Sequence, residues 1–139
     1  MSYLLDTCLL SELLKTRPNA GVAEWIEGTD ESICFVSALT LGELRKGIEK
    51  LADGQRKDEI RNWFERDVIA RFAGRILSAD LEVCLRWGRV SSESERIGHP
   101  RPAIDALLAS TALVHGMVLV TRNERDFAHM PVRILNPWS

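Results

Sequence analysis

Met117-Val118-Leu119-Val120-Thr121 is the stretch on which the fold turns. It is uncharged and apolar up to its last residue, and it is bounded by Gly116 and by the polar run Arg122-Asn123-Glu124-Arg125-Asp126. A short continuous apolar run between turn signals reads as a buried strand. A strand with one wet face would alternate polar with apolar residues, so this one belongs in a parallel sheet covered on both faces.

Working outward, the pattern changes from strand to helix on each side. Upstream lies Ala103-Ile104-Asp105-Ala106-Leu107-Leu108-Ala109-Ser110-Thr111-Ala112-Leu113-Val114, a helix ended by Gly116. It is led by the loop Gly98-His99-Pro100-Arg101-Pro102, whose last proline suits a first helical turn. Before that loop the spacing predicts a helix from Ala79 to Ile97 and a short strand at Arg75-Ile76-Leu77. Leu41, Leu44, Ile48 and Leu51 recur at helical spacing, Gly54 interrupts, and Arg56 to Phe72 continues with Ile60, Trp63, Phe64 and Val68 on one side. Those two stretches form a helical hairpin.

Ser32-Ile33-Cys34-Phe35-Val36-Ser37 is β-prone, and Asn19 can cap a helix through Trp25 and Ile26 that stops near Gly28. A first strand ends near Asp6, Cys8 to Lys15 follows as a helix, and Arg17-Pro18-Asn19 breaks it. Val132-Arg133-Ile134-Leu135 is a last strand. Strands alternating with helices predict an α/β fold with a parallel central sheet flanked by helices on both faces. Residues 1–139 show no repeat, low-complexity segment or linker, so they form one domain. Ligands of such sheets bind beyond the carboxyl ends of the strands.

Composition narrows the class. Hydrophobic residues make up 45% and charged residues 27%, which suits a globular chain rather than a disordered one. Cys8, Cys34 and Cys84 are odd in number and widely spaced, with no C-x-x-C pair, which favours a reducing cytoplasm over disulfides or zinc. No secretory signal is expected, and the uncharged stretch from Ala106 to Thr121 falls short of the ~18 apolar residues of a membrane span. Net charge is -2, yet residues 1–44 carry two basic against seven acidic side chains, and residues 45–75 carry nine against six. An acidic region beside a modestly basic one suits a polyanion handled through bound cations, although the basic part can equally be a solvated helical face.

Four carboxylates stand out. Asp6 is the sole charged side chain in the first eleven residues, and Asp105 is the sole one in its helix. Asp6 and the Thr121–Asp126 segment each follow an apolar strand, while Glu43 and Asp105 lie near the starts of helices. Gathered at one sheet edge they would repel one another and raise their pKa values unless a cation held them. Ligands that are all oxygen point to a hard ion, Mg²⁺ or Mn²⁺, and such an ion would activate water for phosphodiester hydrolysis. Each acid also has a structural explanation. Asp6 can cap the next helix, Asp105 can favour the positive end of its own, and Asn123 with Asp126 has capping-box spacing. Glu43 falls off the Leu41/Leu44/Ile48 stripe, so periodicity alone leaves it exposed.

The order of segments carries a family resemblance. Leu4-Leu5-Asp6-Thr7, Ser37-Ala38-Leu39-Thr40-Leu41-Gly42-Glu43-Leu44, Asp105-Ala106-Leu107-Leu108-Ala109-Ser110-Thr111-Ala112 and Val120-Thr121-Arg122-Asn123-Glu124-Arg125-Asp126-Phe127 together resemble the PIN-domain toxins of the VapC/FitB-like group. The closing Leu135-Asn136-Pro137-Trp138 is similar to the end of FitB-like members. The resemblance implies a PIN fold and a Mg²⁺- or Mn²⁺-dependent ribonuclease acting on RNA. It also implies a homodimer, a cognate VapB-like antitoxin and DNA contact only through that antitoxin. By position, Asp6, Glu43 and Asp105 would be the core metal-binding acids, with Asp126 or Asn123 completing the site. Thr7 and Thr121 would supply orienting hydroxyls. Cys8 departs from the asparagine that many relatives carry after the Asp-Thr pair. The groove for an antitoxin segment would involve Trp63, Phe64 and Phe72, and an antitoxin arginine could enter the acidic site. An alternative from another class is a PIN-fold antitoxin-binding subunit of a DNA-binding repressor complex with little or no nuclease activity. A phospho-accepting receiver domain would want a late lysine, and the last here is Lys57. A haloacid-dehalogenase-like phosphatase would want a second Asp at the position of Cys8.

Overall fold

The computed structural model describes residues 1–139. Five strands form one sheet: β1 (Tyr3–Leu5), β2 (Cys34–Ser37), β3 (Ile76–Leu77), β4 (Val118–Val120) and β5 (Ile134–Leu135). All pairings are parallel and the spatial order is β3-β2-β1-β4-β5. The central strand β1 pairs Tyr3 with Cys34 on one side and with Val118 on the other. The chain therefore runs outward from β1 through β2 and β3, then returns to start again at β4. The reversal between β1 and β4 is the switch point at which such sheets open a crevice at their carboxyl edge.

Both faces of the sheet are buried, as its uninterrupted apolar strands require. Leu5, Val36 and Val120 point to one face, where α1 (Thr7–Glu12), α2 (Ala20–Gly28) and α3 (Ala38–Glu49) pack with Leu9, Leu10, Val22, Leu41, Leu44 and Ile48. Leu4 and Leu119 point to the other, against α5 (Leu81–Arg96) and α6 (Ala103–His115) through Val90, Leu108, Ala109 and Ala112. Alternation along each strand divides the core between two helical layers.

Helix boundaries follow local chemistry. Asn19 Oδ1 accepts from the N–H groups of Gly21 and Val22 to start α2, Ser37 Oγ accepts from Leu39 N–H to start α3, and Asp80 Oδ1 accepts from Val83 N–H to start α5. Gly116, at φ 65°, ends α6 in the left-handed conformation that glycine adopts without strain. Gly21 has a different role: the Pro137 carbonyl oxygen lies well inside van der Waals reach of where a Cβ would stand, so the closing residues can cross α2 there.

The structure shifts several boundaries. The first helix, Thr7–Glu12, starts one residue before the expected Cys8–Lys15 because Asp6 itself is the N-cap, and it ends three residues sooner. The expected Ala79–Ile97 helix is trimmed to Leu81–Arg96 by its Asp80 cap. Pro102 is at the N-cap position, just outside α6 rather than in its first turn. The largest difference is in residues 56–72, where α4 (Gln55–Asn62) gives way to a π-helical segment, Trp63–Ile69. Ile60, Phe64, Val68 and Phe72 all pack on the core at a strict spacing of four. In an α-helix each step of four would rotate the face by about 40°, and the wider π turns take up that drift. No helix of the protein is long and apolar enough to cross a membrane.

A candidate acidic active site at the sheet switch point

The carboxyl end of β1 hands the chain to Asp6, which is only 7% exposed. Its charge is answered by hydrogen bonds. Thr7 N–H donates to Oδ1 at 2.7 Å, and the Thr121 hydroxyl, buried at the end of β4, donates to Oδ2 at 2.7 Å. The Cys8 thiol lies 3.6 Å from Oδ2 and donates there more weakly. Asp6 thus caps α1 and joins β1 to β4 at the same time.

Glu43 is brought in from α3. Its Oε1 accepts the Thr7 hydroxyl at 2.9 Å, so it is half-buried and turned toward the start of α1 rather than exposed as helical periodicity predicts. Glu43 is one residue before the core residue Leu44 and two after Leu41, which puts it on the rim of the buried stripe, within reach of the adjacent helix α1. Periodicity on a single helix cannot register that neighbour.

Asp105 differs from both. It stands in the first turn of α6, half-buried, and its carboxyl is pushed up to about 6. Burial is the largest cause, followed by the negative charges of Asp126, Asp6 and Glu43, and only Arg101 opposes the rise. The same four acids therefore share one electrostatic environment. Asp126 is exposed, in a short 3-10 turn, Glu124–Phe127, that packs on α6.

The loop after β4 is held by its own backbone. Thr121 Oγ accepts from Asn123 N–H at 3.0 Å, and Cys8 Sγ accepts from Arg122 N–H at 3.4 Å. Cys8 Sγ and Thr121 Oγ are 3.5 Å apart, and burial pushes the thiol pKa up, so it remains protonated at neutral pH. The Asn123 side chain caps nothing, which removes the capping-box explanation for Asn123 and Asp126. Asn123 enters through its N–H. Two contributors escaped the sequence. Ser37 is fully buried and starts the helix that carries Glu43. Arg101, which supplies the countercharge to Asp105, was read only as part of a loop, though a cation four residues before an isolated acid was the available signal.

The donor set fits a hard divalent cation in chemical character: oxygen-rich, with like charges that raise the carboxyl of Asp105. The side chains do not yet converge as a ligand group, since no three acidic, histidine or cysteine residues are placed to hold an ion together.

A parallel domain that places acids from a central strand, two helices and the turn after β4 at one switch point defines an acidic-site α/β class. Comparison with known proteins makes the assignment specific: the model of the PIN domain matches residues 3–132, and the chain belongs to the PIN-domain family. It is 33% identical to toxin FitB of Neisseria gonorrhoeae over 97% of both chains. It is 32% identical to VapC ribonuclease Y4jK of Sinorhizobium fredii over 97% of this chain and 96% of that one. A structure of FitAB bound to an IR36 DNA fragment superposes with a TM-score of 0.92 at 33% identity, covering 99% of this chain and 96% of that one.

Proposed function

We propose that this protein is the toxin of a toxin–antitoxin pair, a Mg²⁺- or Mn²⁺-dependent endoribonuclease that hydrolyses RNA at Asp6, Glu43, Asp105 and Asp126. The observation that carries the reading is Asp105, a half-buried acid raised to about 6 by burial and by three neighbouring acids, a charge that a divalent cation would relieve. The ribonuclease and toxin names of the relatives support the same activity.

A bound ion would supply Lewis acidity to the phosphodiester and lower the pKa of a water. Asp6, Glu43, Asp105 and Asp126 would hold it. Thr121 and Thr7 fix the orientation of Asp6 and Glu43 by donating to them, which leaves each carboxylate a second lone-pair direction toward the crevice. Arg101 offsets part of the negative charge that would otherwise repel a phosphate.

The partner reading rests on an apolar cleft of about 780 Å³, bordered by Leu10, Leu13, Ile26, Trp63, Arg66 and Phe72. Trp63 and Phe72 line it, whereas Phe64 is buried in the core. We assign this cleft to an antitoxin segment. A second copy of the chain would cover α5, where Leu81 and Leu85 are 74% and 63% exposed one turn apart. The antitoxin-binding repressor subunit is the alternative that the DNA-bound FitAB relative favours.

Cleavage of total cellular RNA by the purified chain with Mg²⁺, Mn²⁺ or EDTA, alongside Asp6→Asn, separates the two. Discrete products that need both metal and Asp6 are expected. No cleavage by folded, metal-loaded, antitoxin-free protein would leave the repressor subunit as the better reading.

A further inference from the structure

Two histidines outside the acidic cluster lie face to face. The rings of His99 and His129 stack with centroids 3.9 Å apart and planes 10° from parallel, and both residues are exposed. His99 belongs to the loop that leads into the Asp105 helix, where its N–H donates to the Ser94 carbonyl at 2.8 Å. His129 follows the turn that carries Asp126 and holds φ at 68°, the left-handed region that a residue with a Cβ occupies at a cost. That backbone sets the ring against His99.

We propose that the His99–His129 stack is a nucleobase platform beside the acidic site, on which an unpaired base of the bound RNA rests. This rests on the ribonuclease reading. Stacked rings leave their outer faces to solvent, and a flat aromatic surface of this kind holds unpaired bases in sequence-specific and nonspecific RNA binders alike. A base inside a duplex already has both faces covered, so the platform rewards only an unpaired one. His129 is three residues from Asp126, which limits their Cα separation to about 11 Å. Arg125, exposed in the turn between β4 and His129, adds a positive charge near the stack for the phosphates of such an RNA, whereas the Arg122 guanidinium lies over the Trp138 ring. Parallel stacking sets the ring nitrogens side by side rather than converging, and neither histidine joins a metal-ligating group.

The test uses Asp6→Asn chain, which binds without cutting, and a short single-stranded RNA with 2-aminopurine at successive positions. Stacking on the rings quenches its emission. We expect quenching at one position, no quenching for the same RNA annealed to its complement, and binding about tenfold weaker with the quench lost in His99→Ala and in His129→Asn. Asparagine is chosen at 129 because it tolerates positive φ. His99→Trp should restore both affinity and quenching, which a purely loop-fastening role would not predict. Unchanged affinity and quenching in both variants, or a duplex bound as tightly as the single strand, overturns the platform and leaves the nuclease reading standing. A folded chain that binds no RNA at all overturns both.

Discussion

Asp6 and Asp105 are both isolated acids in apolar surroundings, and the structure treats them in opposite ways. Asp6 is the more deeply buried, yet backbone, hydroxyl and thiol donors converge on it. Asp105 is less buried and no hydrogen bond contributes to its carboxyl, so burial and three neighbouring acids drive its pKa to about 6. Burial alone does not make a carboxylate costly; burial without donors does. The first acid is a preorganised fixture of the fold, and the second is the position whose charge a bound cation would relieve most.

Catalysis should erase the contrast. Asp6→Asn and Asp105→Asn each remove a negative oxygen from the proposed ion, and each is expected to lower RNA cleavage by about 10³-fold, on the scale of the charge stabilisation a metal supplies. Rates of defined-substrate cleavage at saturating Mg²⁺ check this. A fully active Asp105→Asn chain would sink the site assignment. Thr121→Val sharpens the comparison on the Asp6 side. It removes the hydroxyl that orients Asp6 and accepts from Asn123 N–H, and it should lower activity by about 10–100-fold through a misaimed carboxylate.

Stability in the absence of metal should restore the contrast with opposite signs. Asp105→Asn removes a charge that Arg101 offsets only in part. The rise from 3.8 to about 6 corresponds to at most ~3 kcal/mol. Solvent screening at a half-buried position reduces the expected gain to about 1–2 kcal/mol at pH 7. Asp6→Asn weakens charge-assisted bonds and should cost about 1–2 kcal/mol. Urea denaturation in EDTA reads both. Added Mg²⁺ should then stabilise the wild-type chain and fail to stabilise Asp105→Asn.

The same carboxyl predicts a pH signature. Because its folded pKa lies above its unfolded value, the native state binds more protons between pH 4 and 6, and its contribution to stability is present below about 4 and lost as pH rises through about 6. The stability advantage of Asp105→Asn over wild type in EDTA should therefore grow across that window and level off above it. A constant difference from pH 4 to 7 would show that Asp105 titrates normally and that the contrast with Asp6 is false.

How far the sequence foretold this follows from what each signal measures. The strands and their parallel pairing, though not their order in the sheet, were legible because uninterrupted apolar runs such as Met117–Val120 suit a doubly covered sheet. Asp6 and Asp105 were legible because a lone charge in such a run is expensive enough to demand a reason. Glu43 was not legible from periodicity, since its position depends on the Thr7 hydroxyl from another helix. The π-helical segment was hidden because the spacing of Ile60, Phe64, Val68 and Phe72 looks α-helical until the accumulated rotation is weighed against one fixed core. The histidine stack was invisible, since residues 30 apart in two loops leave no periodic trace.

Cys8 carries the smallest expected effect and bears on why Asp6 is so well held. Its thiol contributes the longest contact to Asp6, 3.6 Å, and its sulfur accepts from Arg122 N–H at 3.4 Å. Sulfur is a weak partner in both directions, and Thr7 N–H and the Thr121 hydroxyl remain on the carboxylate without it. Cys8→Ala should therefore cost less than about 1 kcal/mol in urea denaturation, near the lower end for a lost hydrogen bond, and change cleavage only a few-fold. If it instead matched Thr121→Val, the thiol would rank with the hydroxyl as a fixture of Asp6, and the post-β4 loop, tied down through Arg122 N–H, would be the element that sets the acid's aim.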